Sequence, residues 1–287
     1  MASEGGAMAV LPVNQFSLLV GASGSGKTTL ILQAWYSHER HEPFVIGFPP
    51  HIERVAYIAA DRTKEEPEER AAYLQLKNIE FYGITDDEKL NYDLVHQPRS
   101  LWDRTVQQFK HPFQMMIVDP IALFVDGNLN DFKHVAITLM RWNRYCKQSN
   151  ITMLGLHHTT KQRADNRFLR PQDRVSGSGA FPGYSGTQCV LVEGIEDGLD
   201  YEQLIIIPHK TPKEYYSLNR RRDGYFTVRE IEAQGTVMRA LQAEGYLRFV
   251  DFCNIAAASG LDMKFIEGWL QTDPKLQLDG DYVTLQK

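Results

Sequence analysis

The stretch FSLLVGASGSGKTTLILQAW, residues 16–35, decides the fold. An apolar, strand-like run (16–20) leads directly into a glycine-rich turn, GASGSGKT (21–28), and then into a helical pattern from Lys27 to Ser37. The turn fits G-x(4)-G-K-[ST] and sits where that motif must sit, between a strand and a helix. Its glycines let the backbone close tightly enough for successive N–H groups to point inward. The helix N-terminus adds partial positive charge, so a polyphosphate is held without bulky side chains. Gly21, Ala22, Ser23, Gly24, Ser25, Gly26, Lys27, Thr28 and Thr29 are therefore the expected ATP-binding residues. Lys27 should reach the β- and γ-phosphates, and Thr28 should place its hydroxyl on Mg²⁺.

Working outward, short apolar runs alternate with helical stretches, the pattern of a mostly parallel sheet with crossover helices. Strands are expected at Phe16–Val20, Arg54–Ala59, Ile79–Tyr82, Met115–Val118, Ile151–Leu156, Cys189–Glu193 and Leu204–Pro208. Helices are expected at Lys27–Ser37, Glu65–Leu76, Arg99–Lys110 and Asp131–Lys147, the last with Val135, Leu139, Trp142 and Cys146 on one stripe. No helix separates the later strands, so the sheet should end in antiparallel hairpins. The metal and the attacking water need carboxylates at the ends of neighbouring strands. MMIVD delivers Asp119 in the form of a Walker B acid, and VAYIAAD ends at Asp61, where a general base or water-orienting group would sit. Asp61 can also be read as a turn residue opening the charged stretch that follows.

Beyond about Arg229 the character changes, which divides the chain into an ATPase domain over 1–229 and a smaller module over 230–287. Ile231–Gly245 and Phe249–Ser259 read as helices, 260–262 as a tight turn, Met263–Thr272 as a third helix and Lys275–Gln286 as a hairpin tipped by Asp279 and Gly280. That order is a winged helix's. Its third helix carries little positive charge, so a partner protein or the core itself competes with DNA as its target.

The order of motifs resembles the RecA-like P-loop ATPases of the DnaB type, most closely the small hexameric replicative helicases of the plasmid RepA kind. GASGSGKTT is followed by YIAAD, then IVDP, then LGLHHTTK, then PHKTPKEYYSLNRRRDGY, over about Phe16 to Phe226. The resemblance implies ATP hydrolysis coupled to movement on single-stranded DNA, and assembly into a ring. It places the catalytic acid at Asp61, where the family more often carries Glu. Asp is shorter by about 1.5 Å of reach, which leaves Glu65 and Glu66 as fallback bases. It gives the pair His157 and His158 a γ-phosphate-sensing role without deciding between them. It makes Lys210 and one of Arg220, Arg221 and Arg222 the cations that complete a neighbouring subunit's site. About fifteen residues precede the first strand, fewer than the arm of the hexameric relatives, so the C-terminal module is expected to share in assembly.

Composition sharpens the expected place of DNA contact. With a net charge of −5 and a pI near 6.0, the chain does not coat nucleic acid through its global charge. The aperiodic segment Thr159–Gly186 nevertheless carries Lys161, Arg163, Arg167, Arg170 and Arg174 against Asp165 and Asp173, with Phe168, Phe181 and Tyr184 interleaved. It reads as a DNA loop with base-stacking aromatics, or else as a surface excursion or subunit contact. Three widely spaced cysteines (146, 189, 253) provide no disulfide framework or metal knuckle, and no signal-like segment opens the sequence. A cytoplasmic protein without membrane attachment is expected. The competing functions are a RecA-like recombination mediator and a regulatory ATPase that uses nucleotide as a switch.

Overall fold

The computed structural model describes residues 9–42, 44–61, 64–84, 105–107, 109–159, 175, 177–196, 199–208, 213–221, 223–228, 233–258, 266, 269–271 and 275–285. Its frame is a nine-stranded sheet. The strands within it are β2 (Phe16–Gly21), β4 (Val55–Ala59), β5 (Ile79–Gly83), β6 (Met115–Asp119), β7 (Thr152–His158), β8 (Thr187–Glu196), β9 (Leu199–Pro208), β10 (Glu214–Arg220) and β11 (Phe226–Val228). Their spatial order is β11-β10-β9-β8-β2-β7-β6-β4-β5. From β8 to β5 all neighbours are parallel. From β8 to β11 they are antiparallel hairpins. Short strands β1 (Ala9–Val10) and β3 (Ile46–Gly47) pair separately. Every expected strand is present; β10 and β11 extend the antiparallel edge beyond what periodicity marked.

Side-chain alternation sorts the strands onto two layers. Leu19, Tyr57, Ile117, Leu154 and Leu156 face the layer of helix α1 (Lys27–Glu39). Val20, Ile58, Val118 and Met153 face the layer of helix α3 (Phe132–Ser149). Between these in sequence lies α2 (Glu65–Tyr73). Helix α3 begins where the Asp131 carboxylate accepts the backbone N–H groups of Lys133 (2.8 Å) and His134 (3.2 Å), and it ends at Asn150 in the left-handed region, φ 54°. Its buried stripe includes Val135, Leu139, Trp142 and Cys146, as the spacing predicts. Of the helix expected over 99–110, the described part is helical only at 105–106.

Two expectations change. Phe181 and Tyr184 do not belong to an aperiodic loop: they lie in a short helix, α4 (Ala180–Tyr184), where Phe181 is fully buried and Tyr184 packs against the α3-side core. Burying such a ring is worth about 1.5–3 kcal/mol, and the cavity left by withdrawing it adds to the cost. It is a core residue.

The other change concerns the C-terminal module. Helices α5 (Ala233–Glu244) and α6 (Phe249–Ala258) flank a strand, β12 (Tyr246–Arg248), which pairs with β14 (Tyr282–Leu285); β14 in turn pairs with β13 (Leu276–Asp279). The sequence reading missed β12, whose three residues fall between two helical patterns. Helix, strand, helix and hairpin follow one another in this module. Most of the third helix of that reading, 263–272, lies outside the described residues. The module is no loose appendage: Val237, Ala240, Leu241 and Phe252 share one core with Val190 of β8 and Ile205 of β9. Buried Glu244 accepts a bond from Lys213, Nζ to Oε1 2.6 Å, just before β10.

Candidate functional site

The site forms where the C-terminal ends of β2, β4, β6 and β7 meet the start of α1. Gly26 occupies the N-cap of α1 at φ 89°, with no side-chain cap and no acidic residue in the first turn. No side chain caps these N–H groups, which are the donors that a helix N-terminus offers an anion. The loop is held tightly. A Cβ on Gly21 would lie 2.7 Å from Ser25 Oγ and 3.0 Å from the Leu191 carbonyl, and one on Gly26 would lie 2.7 Å from the Phe226 ring.

Lys27 is buried, its Nζ donating to the carbonyls of Gly21 (3.1 Å) and Ala22 (2.8 Å). The same Nζ lies 3.4 Å from Nδ1 of His158. An ammonium has only donors, so Nδ1 can take part in this contact only as an acceptor. Strand alternation separates the histidine pair: His158 shares the α1 layer with Leu154 and Leu156, whereas His157 turns to the other face and packs on Phe181, ring centroids 4.4 Å apart. Of the pair, His158 is the one at the loop.

Thr28 Oγ1 donates to Asp119 Oδ2 at 2.9 Å, and the Tyr57 hydroxyl donates to the same oxygen at 2.7 Å. A hydroxyl and a carboxylate side by side at the mouth of a phosphate cradle are the hard oxygen donors that Mg²⁺ prefers, with phosphate oxygens and waters completing its shell. These residues fit Mg²⁺. Asp61 is exposed, two residues beyond β4, whose end pairs with β6 at Ala59 and Asp119. Of the fallback acids, Glu66 pairs with Arg70 at 2.6 Å, and Arg70 donates onward to Thr29 Oγ1 at 2.7 Å. Thr29 therefore turns its hydroxyl toward α2.

The sequence reading sent the arginine run to a neighbouring subunit's site; the structure folds its first member onto the chain's own loop. Arg220 Nη1 donates to the Gly24 carbonyl at 3.1 Å. The reason is a clamp that sequence does not reveal. The Gln33 amide on α1 accepts from the Phe226 N–H (2.7 Å) and donates to its carbonyl (2.9 Å), drawing the β10–β11 turn across the loop. Arg221 instead pairs with Asp223 at 2.8 Å. Tyr225 in this turn stacks on Tyr73 of α2, 5.4 Å between centroids. Lys210, Arg222 and the candidate DNA-contact residues Lys161, Arg163, Arg167, Arg170 and Arg174 lie outside the described residues.

Burial pushes the Cys146 thiol up to about 12, and burial with the nearby Glu214 carboxylate does the same to Cys189. None of the three cysteines forms a disulfide. Among the described residues no helix is long and apolar enough to cross a membrane.

Fold and site together define a P-loop nucleotide-binding protein with a RecA-like α/β core. The sequence profile of the AAA domain family matches residues 7–164, more than half of the 287, and the chain belongs to that family. The matched span carries the P-loop, Asp61, Asp119 and His158; the β10–β11 hairpin and the C-terminal module lie beyond it. Among solved structures, the fold is similar to that of a KaiC-like protein from the hyperthermophilic archaeon Pyrococcus horikoshii OT3. The TM-score is 0.51 at 13% identity, covering 77% of this chain and 91% of that one. At such identity the likeness concerns fold alone. No curated protein matches the sequence.

Proposed function

We propose that this chain is a Mg²⁺-dependent ATPase that couples hydrolysis to movement on single-stranded DNA as a ring, a helicase of plasmid or phage replication. The observation that carries the reading is the contact between Lys27 and His158. A phosphate on the loop competes with the Gly21 and Ala22 carbonyls and with His158 for the Lys27 ammonium. His158 ends β7, and the basic segment with Lys161, Arg163, Arg167, Arg170 and Arg174 begins three residues later. Phosphate state and DNA grip thus share one strand end. Double replacement Arg163→Ala with Arg167→Ala is expected to abolish the stimulation of ATP turnover by single-stranded oligonucleotide while leaving basal turnover within about twofold, since these residues supply phosphate-backbone contacts rather than chemistry. Unchanged stimulation would remove the motor reading.

A second reading, a regulatory ATPase whose nucleotide state is reported to a partner, draws support from the core that the C-terminal module shares with β8 and β9. It expects slow turnover indifferent to single-stranded DNA.

The position of Arg220 adds a test of how the ring site is completed. Arg220→Ala is expected to lower kcat on the order of 10²-fold, the effect of removing one preorganised charge from such a site. Because Arg220 lies on its own P-loop, mixing this variant with Lys27→Ala should restore no turnover, as every subunit then carries one defect of its own. Recovery on mixing would show that Arg220 serves the neighbour.

A further inference from the structure

We infer that Tyr57 is a positioning residue for Asp119, and that its hydroxyl sets how much Mg²⁺ the protein requires to bind nucleotide. The inference rests on the ATPase reading of the site above and extends it to a residue that no motif marks. Tyr57 lies in the middle of β4 and is 1% exposed, its ring against Phe81 at 5.2 Å between centroids. Phenylalanine would fill the same space, so packing alone gives no reason for a hydroxyl there. A buried hydroxyl is costly unless bonded, and this one donates to Asp119 Oδ2 at 2.7 Å.

Two donors from different elements converge on that oxygen. Thr28 belongs to the loop-bearing helix, and its hydroxyl is claimed by whatever the loop holds. Tyr57 belongs to a central strand that pairs with β6 residue for residue, from Val55–Met115 to Ala59–Asp119. Alternation puts Tyr57 and Asp119 on the same sheet face, so the hydroxyl reaches along the face to the carboxylate. The strand-borne bond fixes the rotation of Asp119 independently of the loop. Orienting partners of this kind are worth about 10- to 100-fold in metal affinity.

The test is Tyr57→Phe, which keeps the ring. Binding of a fluorescent ATP analogue is measured by equilibrium titration with Mg²⁺, beside ATP turnover over the same Mg²⁺ range. The Mg²⁺ midpoint for nucleotide binding should rise roughly tenfold, binding in EDTA should be unchanged, and turnover should recover at saturating Mg²⁺. Phe81→Leu, which disturbs the same packing without touching the hydroxyl, should leave the midpoint in place. A wild-type midpoint in Tyr57→Phe, or an equal shift in Phe81→Leu, would overturn the role of Tyr57 while the ATPase reading stood. A wild-type protein whose nucleotide binding ignores Mg²⁺ would overturn both.

Discussion

Lys27→Ala is expected to end ATP turnover, with a loss of at least 10²- to 10³-fold in kcat, the range for deleting one preorganised charge-stabilising group, while the fold survives. The Lys27 ammonium is buried and held by the Gly21 and Ala22 carbonyls. Removing it strips a charge-assisted bond from each carbonyl, but it also removes the desolvation cost of a buried ammonium, and the two effects oppose each other. The change in melting temperature should therefore be small. Among the described residues Arg220 also brings a cation to the loop, but its guanidinium is held by the Gly24 carbonyl and does not replace the ammonium that Lys27 places between the Gly21 and Ala22 carbonyls. The loss falls on the transition state, where charge accumulates on the transferred group. A coupled turnover assay, with circular dichroism as the folding control, decides it. Turnover that persists in a folded Lys27→Ala protein would overturn the reading of the site.

The P-loop was legible because its chemistry is local. Glycines, lysine and threonine at fixed offsets must lie between a strand and a helix, and β2 and α1 bear this out in their observed bounds. Asp119 was legible for a related reason: a carboxylate ending an apolar strand has few other uses. The histidine pair was half legible. Period-2 alternation separates neighbours on any strand, but which face meets α1 depends on the layer order, which a single strand does not carry. Gln33 and Phe226 lie 193 positions apart yet exchange two hydrogen bonds, and no periodicity announces such a pair. That clamp turns Arg220 inward, so its direction could not be read from the arginine run. Phe181 misled because composition treats an aromatic near a basic segment as a stacking platform, whereas its burial is decided by the tertiary fit of α4 against His157. Tyr57 left one faint signal, a polar tip in the otherwise apolar run VAYIA.

Asp119→Asn is expected to bring the second large loss, of similar size to that of Lys27→Ala but different in kind. Asparagine keeps the volume of aspartate and one carbonyl oxygen. That oxygen has to take the Oδ2 position, because Thr28 and Tyr57 both present donors there, and a flipped amide would set N–H₂ against two O–H groups. The NH₂ then occupies the place of Oδ1. An acceptor bearing charge becomes a neutral donor where cation-bound water needs an acceptor, so the variant loses both the Coulomb attraction for Mg²⁺ and the acceptor for its water. Folding should be preserved, since both existing hydrogen bonds survive in the favoured flip. Nucleotide binding in EDTA should match wild type, and the Mg²⁺-dependent gain in affinity should vanish, with kcat falling on the order of 10²- to 10³-fold. This separates the two variants in a single titration: Lys27→Ala weakens nucleotide binding with or without metal, whereas Asp119→Asn weakens only the metal-dependent part. If Asp119→Asn kept the wild-type Mg²⁺ response, Asp119 would be reduced to a partner that orients Thr28, and the acid that holds the metal shell would have to be sought at Asp61 instead.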